Sequence, residues 1–266
     1  MNIYLFELKK ILKTCFWWTF SIIITLVVFM IVVYPVFQDG GEELVELFKN
    51  FPPEFLTAFG FDLDNLFGVE PFYAFSFTYI GLMSAIMAVS ISVDIFSREK
   101  RSKCMDFILT KPIGRIQIYM YKLATCMTAL ILSNLIYIIC TIIIFFVNEE
   151  GYKFTFDTLQ IVLAPFFTQL VFMSFGILIS IIFRKIRSVS VVATSFGIIA
   201  FILSAIMNLL EKEYLYFLAP LKYFEPSYVV QDGAFDTKLV VFAIFLIVMS
   251  IFLSMKKYCS EDIASV

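Results

Sequence analysis

The sequence contains no histidine. That absence removes His-ligated zinc, haem with an imidazole ligand, Ser-His and Cys-His nucleophile pairs, and pH sensing by imidazole. There is no Gly-Lys dipeptide, so no GxxxxGK[ST] loop is present to cradle nucleotide phosphates. If ATP drives this protein, another chain hydrolyses it. The five cysteines (Cys15, Cys104, Cys126, Cys140 and Cys259) show no CxxC spacing, and so suggest neither a metal knuckle nor a redox pair. Charge is scarce as well. Charged residues make up 16% of the chain, where a soluble domain carries about a quarter.

What fills the space is apolar. Hydrophobic types reach 61% of 266 residues, with 33 Phe, which excludes both an ordinary globular enzyme and a disordered chain. Six stretches match the roughly 20 apolar residues that a membrane span requires. They cover residues 15–36, 72–95, 116–147, 159–183, 189–210 and 239–255. The expected fold is an all-α polytopic membrane protein, a single transmembrane domain over residues 1–266. The third stretch exceeds one bilayer and is expected to begin in the cytoplasm. The first is too long for a signal-peptide core and lacks an Ala-x-Ala cleavage site, so it counts as a span.

Basic residues orient the spans. With both termini inside, fifteen of the 20 basic residues and six of the 22 acidic ones fall on the inner side. The outer loops then hold five basic and sixteen acidic residues. This asymmetry predicts six spans with both termini cytoplasmic. It also puts every cysteine inside or within the membrane, so no structural disulfide is expected.

Three segments lie outside the spans. Residues 2–14 have a helical pattern, with Tyr4, Leu5, Leu8, Ile11 and Leu12 on one face and Glu7, Lys9, Lys10 and Lys13 on the other. This predicts a helix lying along the inner leaflet before the chain turns into the first span, either as an anchor or as a docking element. The first outer loop, 37–71, is acidic and broken by Pro52-Pro53 and Gly60, with a helical turn or two at Glu42–Phe48. Its acids are either simply solvated or able to bind cations. Residues 211–238 are too apolar for a free loop and too interrupted for a span. Their Tyr and Phe content predicts a broken helix dipping into the outer leaflet.

No Asp, Glu, Lys or Arg lies near the middle of any span. Asp94 and Lys122 fall at inner ends, where they are expected to reach water. An ion-driven transporter or proton pump usually needs a buried ionisable group, so that class is disfavoured, as is an intramembrane hydrolase. The polar residues within the spans (Asn134, Thr141, Gln169, Asn208) are neutral and suit interhelical hydrogen bonding. In the fifth span, Ser190, Ala193, Gly197, Ala200 and Ser204 share one face, where another helix can approach closely. The stripe serves either packing within the chain or a subunit interface or translocation pathway. In the second span Ser84, Ala88 and Ser92 repeat at i, i+4, i+8.

The loop between the second and third spans, residues 96–115, is the most informative stretch. Cys104, Met105, Ile108 and Leu109 form an apolar side, and Glu99, Lys103 and Asp106 lie opposite. Glu99 and Lys103 sit at i, i+4. Pro112 ends the helix near Leu109–Thr110. The pattern describes either a short rigid lever on the inner side or an ordinary charged loop.

Here the sequence resembles the ABC-2-type transporter permeases. Their signature has a Glu after the second span, a short coupling helix ending in leucines, then Pro, a small residue, Arg, and a Lys early in the third span. Glu99, Leu109, Pro112, Gly114, Arg115 and Lys122 fall on it. Lys103-Cys104 replaces the usual Gly-Thr pair, and Gly114 the usual Ser. Ala219-Pro220 with Tyr223-Phe224 is similar to the family's outer Pro-aromatic segment, and Pro52-Pro53 with Phe59-Gly60-Phe61-Asp62 to its first outer loop. The resemblance covers nearly the whole chain.

The resemblance implies a permease subunit in the plasma membrane of a bacterium. Two such subunits, identical or paralogous, would join two ATP-binding subunits that hold ATP and Mg. Arg98, Glu99, Lys103, Asp106, Leu109, Pro112 and Arg115 would couple the spans to the ATPase. The similar subgroup exports peptides (bacteriocin immunity, lantibiotic self-protection, bacitracin resistance, phenol-soluble-modulin export), so the expected substrate is an amphipathic peptide or a lipid-like molecule. No catalytic residue, metal, cofactor or nucleic acid is expected on this chain. The alternatives are a secondary transporter or channel-like pore without an ATPase, and a membrane-embedded regulatory subunit.

Overall fold

A computed structural model describes residues 3–58, 67–102, 114–183, 185–210 and 212–260. Six helices are long and apolar enough to cross a membrane: Ile3–Gly41, Val69–Arg101, Arg115–Asn148, Phe156–Ile182, Val189–Leu210 and Thr237–Ser260. No strand occurs among the described residues. The chain is an all-α multi-pass membrane protein, and each expected span lies on one of these helices.

The first span is built from α1 (Ile3–Val27), a six-residue π-helical stretch (Val28–Val33) and the start of α2 (Tyr34–Lys49). No Pro or Gly interrupts residues 3–34, so the helix runs on without a break. It first kinks at Gly41, whose φ of +35° suits a residue without Cβ. The expected turn between residues 2–14 and the first span is absent: from residue 3 the helix is continuous with the span. The face carrying Tyr4, Glu7 and Ile11 packs on the rest of the bundle, while Lys9, Lys10 and Lys13 stay exposed. The Tyr4 hydroxyl donates to Thr128 Oγ1 at 3.0 Å, and Glu7 is 2% exposed.

α3 (Pro53–Ala58) follows, then α4 (Val69–Ser102) and α5 (Arg115–Asn148). α6 (Phe156–Ile182) and α7 (Val189–Leu210) come next. Two 3-10 pieces (Glu213–Leu218 and Pro220–Lys222) and α8 (Pro226–Asp232) lead into α9 (Thr237–Ser260).

α4 and α6 form the centre. In their most apolar windows 78% and 67% of residues are buried, against 17–22% for the first, fifth and sixth spans. The physical reason is side-chain size. Ser84, Ala85, Ala88 and Ser92 of α4 are buried with Gly176 of α6. A Cβ on Gly176 would lie 2.0 Å from Ser92 Oγ and 3.2 Å from the Cα of Val89. Only glycine permits that approach. α1 packs on α4 and α5, α7 on α4, and α9 on α6.

Several hydroxyls in the spans bond to carbonyls of their own helices, which suits a bilayer that offers no water. Thr19 donates to the Cys15 carbonyl at 2.8 Å, Thr125 to Tyr121 at 2.8 Å and Thr141 to Tyr137 at 2.9 Å. α6 starts on a reciprocal cap in which Thr155 and Thr158 each accept from the other's backbone N–H at 3.2 Å. The segment after α7 is broken, as expected, but its aromatic residues turn inward. Tyr223 and Phe224 are buried against Val171, Leu239 and Ala243. Their density reflects packing under α6 and α9 and not a headgroup belt, although Tyr214 and Leu218 remain exposed.

Candidate functional site

One end of the bundle carries a web of charged side chains around the last turns of α4. α4 outlasts its apolar part and brings Asp94, Arg98, Glu99, Lys100 and Arg101 to that end. Positions 94, 98 and 101 share a face at helical spacing. Arg98 donates to Asp94 Oδ2 at 2.5 Å and also pairs with Glu7 of α1, while Arg101 pairs with the other oxygen of Asp94. Glu7 would be costly to bury alone, and the guanidinium makes its burial tolerable.

The neighbouring face meets α5. Lys122, 1% exposed along its side chain, lies 2.5 Å from Glu99 Oε1 and 2.6 Å from Oε2. The same ammonium donates to the Ile95 carbonyl at 2.6 Å and sits 5.7 Å from the centre of the Phe96 ring. Four further contacts belong to the web. Lys100 Nζ lies 3.4 Å from the carbonyl oxygens of Ser180 and Ile181, at the C-terminus of α6. The negative end of that helix dipole favours a cation there. Arg115, opening α5, donates to the Cys259 carbonyl of α9 at 3.1 Å, and one helical turn on Tyr119 OH shares a hydrogen with Ser254 Oγ at 2.7 Å.

The helix ends of α1, α5, α6 and α9 are therefore each bonded to the residues that flank segment 103–113. Of the expected coupling residues, Arg98, Glu99 and Arg115 belong to this web. Lys103, Asp106, Leu109 and Pro112, and with them the short helix expected there, lie outside the described residues. Two expectations are corrected. Lys122 does not reach water but is buried in the bundle. Glu99 is not displayed on a separate helix; it sits near the end of α4 and turns inward to Lys122. Sequence reasoning also missed Glu7 as a partner of this end. Its only signal was an acid among lysines on an N-terminal amphipathic face.

The small-residue stripe of α7 does bring a helix close, within the same chain. Ala193, Gly197, Ala200 and Ser204 are buried, and a Cβ on Gly197 would meet Ile86 Cγ1 of α4 at 2.3 Å. Ser190 is exposed. The stripe is thus a seam between α7 and α4, and the free faces of α7 are those carrying Val191, Ile198 and Ile202.

In mid-bundle, Asn134 donates to Gln169 Oε1 at 2.6 Å and to the Leu130 carbonyl at 2.8 Å. Tyr73 and Tyr137 share a hydroxyl hydrogen bond of 2.8 Å. The Asn134–Gln169 and Tyr73–Tyr137 bonds are interhelical, of the kind expected for neutral polar residues in lipid, and the bond to Leu130 lies within α5.

At the opposite end Glu70 accepts from Thr158 Oγ1 at 2.7 Å and from Tyr152 OH. Burial, and then the Glu70 carboxylate, push the Tyr152 phenol well above its usual value. Lys222 and Glu225 pair beneath the segment after α7. Tyr223, whose phenol burial also pushes upward, donates to the Phe217 carbonyl at 2.6 Å. Among the described residues no group of three or more acidic or cysteine side chains is placed to hold a metal ion.

The family model described as ABC-2 family transporter protein matches residues 1–256. No curated protein matches the chain.

Proposed function

The chain belongs to the ABC-2 transporter family, a family of membrane components of ABC transporters, and from that premise we propose that it is the permease of an ATP-driven exporter. ATP and Mg are held by a separate ATP-binding subunit, which docks on the charged end of the bundle. A second permease, this chain or a paralogue, completes the membrane unit. The substrate is an amphipathic peptide or lipid-like molecule that leaves the cytoplasm or inner leaflet. The membrane is a bacterial plasma membrane, with the charged end and both termini on the cytoplasmic side.

One observation supports this reading above the others. The flanks of segment 103–113, on α4 and α5, are tied to each other and to three other spans through Arg98, Glu99, Lys100, Lys122 and Arg115. Buried ion pairs and charge-assisted hydrogen bonds form a stiff joint. A push on that segment by a soluble subunit therefore reaches α1, α5, α6 and α9 together. A loop serving only as a positive-inside anchor needs none of these internal bonds.

The experiment is co-purification of the tagged chain in mild detergent, followed by reconstitution in liposomes. The expected result is an ATP-binding chain that accompanies the permease, and peptide export that requires both chains and ATP. Transport by this chain alone, driven by an ion gradient, would overturn the proposal in favour of a secondary transporter.

A further inference from the structure

Four helices leave a small, partly enclosed space at mid-depth in the bundle. Its walls include Ser84 and Met87 of α4, Ser133, Asn134 and Tyr137 of α5, Pro165 and Gln169 of α6, and Thr19 of α1. It lies far from either end. Ser84, Asn134 and Gln169 are each about 20–28 Å along their helices from the nearer and farther termini at 1.5 Å per residue. The room is that of about one water molecule.

The hydrogen-bond account of the walls does not close. Ser84 is 1% exposed, and its Oγ has no hydrogen-bond partner. That is unusual for a buried hydroxyl, and more so because Thr19, Ser133 and Thr141 nearby all bond to a carbonyl of their own helix. Gln169 uses its Oε1 on Asn134, but its amide nitrogen reaches only the thioether of Met87, at 4.0 Å. An amide nitrogen has two hydrogens to give, and sulfur is a weak acceptor. The hydroxyls of Thr19 and Ser133 are already donating, which leaves their oxygen lone pairs as acceptors. Pro165, in the wall, supplies no N–H to the carbonyl one turn before it. The walls therefore present donors without acceptors, and acceptors without donors, around a space of molecular size.

We propose that this space holds one bound water molecule, joined to the Ser84 hydroxyl and the Gln169 amide and bridging α4 to α6. A water gives two hydrogens and accepts two. It is the smallest molecule that satisfies this mixed set, and buried polar sites with two to four partners are where such waters are found. A cation would find donors as well as acceptors here and no neutralising carboxylate. An apolar guest would leave Ser84 and Gln169 unsatisfied. The site is independent of the ATPase reading and holds whether or not an ATPase is the partner.

X-ray radiolysis of the full chain in nanodiscs tests it. Radicals born from a bound water oxidise the side chains that touch it. Met87, 0% exposed, lines the space, and Met173, 1% exposed in the same core, does not. The expected result is oxidation of Met87 several-fold faster than Met173 after brief exposure. Ser84→Ala should bring Met87 down toward Met173. Thr168→Val, which removes a buried hydroxyl outside the walls, should leave Met87 unchanged. If Ser84→Ala fails to assemble, the comparison of Met87 with Met173 in the native chain decides. Equal protection of the two methionines means that the space is dry and overturns the assignment.

Discussion

The ammonium of Lys122 in α5 meets the carboxylate of Glu99 in α4 at 2.5 Å, and the lysine side chain is 1% exposed. The pair joins the helix that enters segment 103–113 to the helix that leaves it. Removing one partner leaves a buried charge uncompensated, which typically costs ~3–5 kcal/mol, while replacing both by apolar groups of similar size is often neutral. Glu99→Ala should therefore lower the thermal unfolding midpoint in detergent. Lys122→Met combined with Glu99→Leu should recover most of it. A single variant as stable as the native chain would show that the pair is not buried as described.

Coupling separates from stability at Arg115. Its bond to the Cys259 carbonyl is one charge-assisted hydrogen bond at the edge of the web, worth about 1.5–3 kcal/mol at most. Arg115→Ala should insert and assemble normally. With the ATPase present, hydrolysis should lose its stimulation by substrate while the basal rate persists. Normal export by this variant would remove Arg115 from the coupling route.

The approach of α6 to α4 predicts an overpacking series. Gly176→Ala sets a methyl 2.0 Å from Ser92 Oγ and 3.2 Å from the Val89 backbone. Overpacking of this kind costs ~1–3 kcal/mol. Ser92→Ala added to it should return part of the loss, because the nearest clash is with the hydroxyl, while the contacts with Val89 Cα and Ser92 Cβ remain. Gly197→Leu should likewise destabilise the single chain against Ile86, detectable in the monomer before any assembly is measured.

Topology is tested by labelling with an impermeant thiol reagent. Tyr223 is 1% exposed and a poor place for a probe, whereas Tyr214 is 66% exposed. A cysteine at Tyr214, in a chain otherwise free of cysteine, should label in intact cells. A chain keeping only native Cys259 should label only after permeabilisation. The reverse pattern would invert the whole map.

Tyr152 supplies a pH test outside the spans. Its phenol is raised above the ordinary value of 10.0 by burial and by the Glu70 carboxylate it donates to. A folded-state value above the unfolded one means that the contribution is fully present below about pH 10 and is lost as pH rises through the folded value. Stability from this bond should be flat across neutral pH and fall only in strong alkali. Tyr152→Phe should flatten that alkaline limb, read by unfolding midpoints across the range.

The six spans and the segregation of lysine and arginine were legible in the sequence because lipid acts on each segment locally. Twenty apolar residues qualify as a span whatever their neighbours are, and the small-residue stripe at 193, 197, 200 and 204 announces a close helix approach from spacing alone. What the stripe touches was not legible. Helix rotation and neighbour order turn it to Ile86 of α4, and only packing of the whole bundle fixes those. The same holds for charge. Nothing in the spacing pointed to Lys122, which reaches Glu99 from the next helix, or to the carboxylate 91 positions earlier that Arg98 meets. The unbroken run of helix from residue 3 into the first span is of this kind too. An amphipathic helix can lie in an interface or stand in a bundle, and its local pattern is the same in both. The choice falls to partners on other helices, Arg98 for Glu7 and Thr128 for Tyr4, which tertiary structure alone sets beside it.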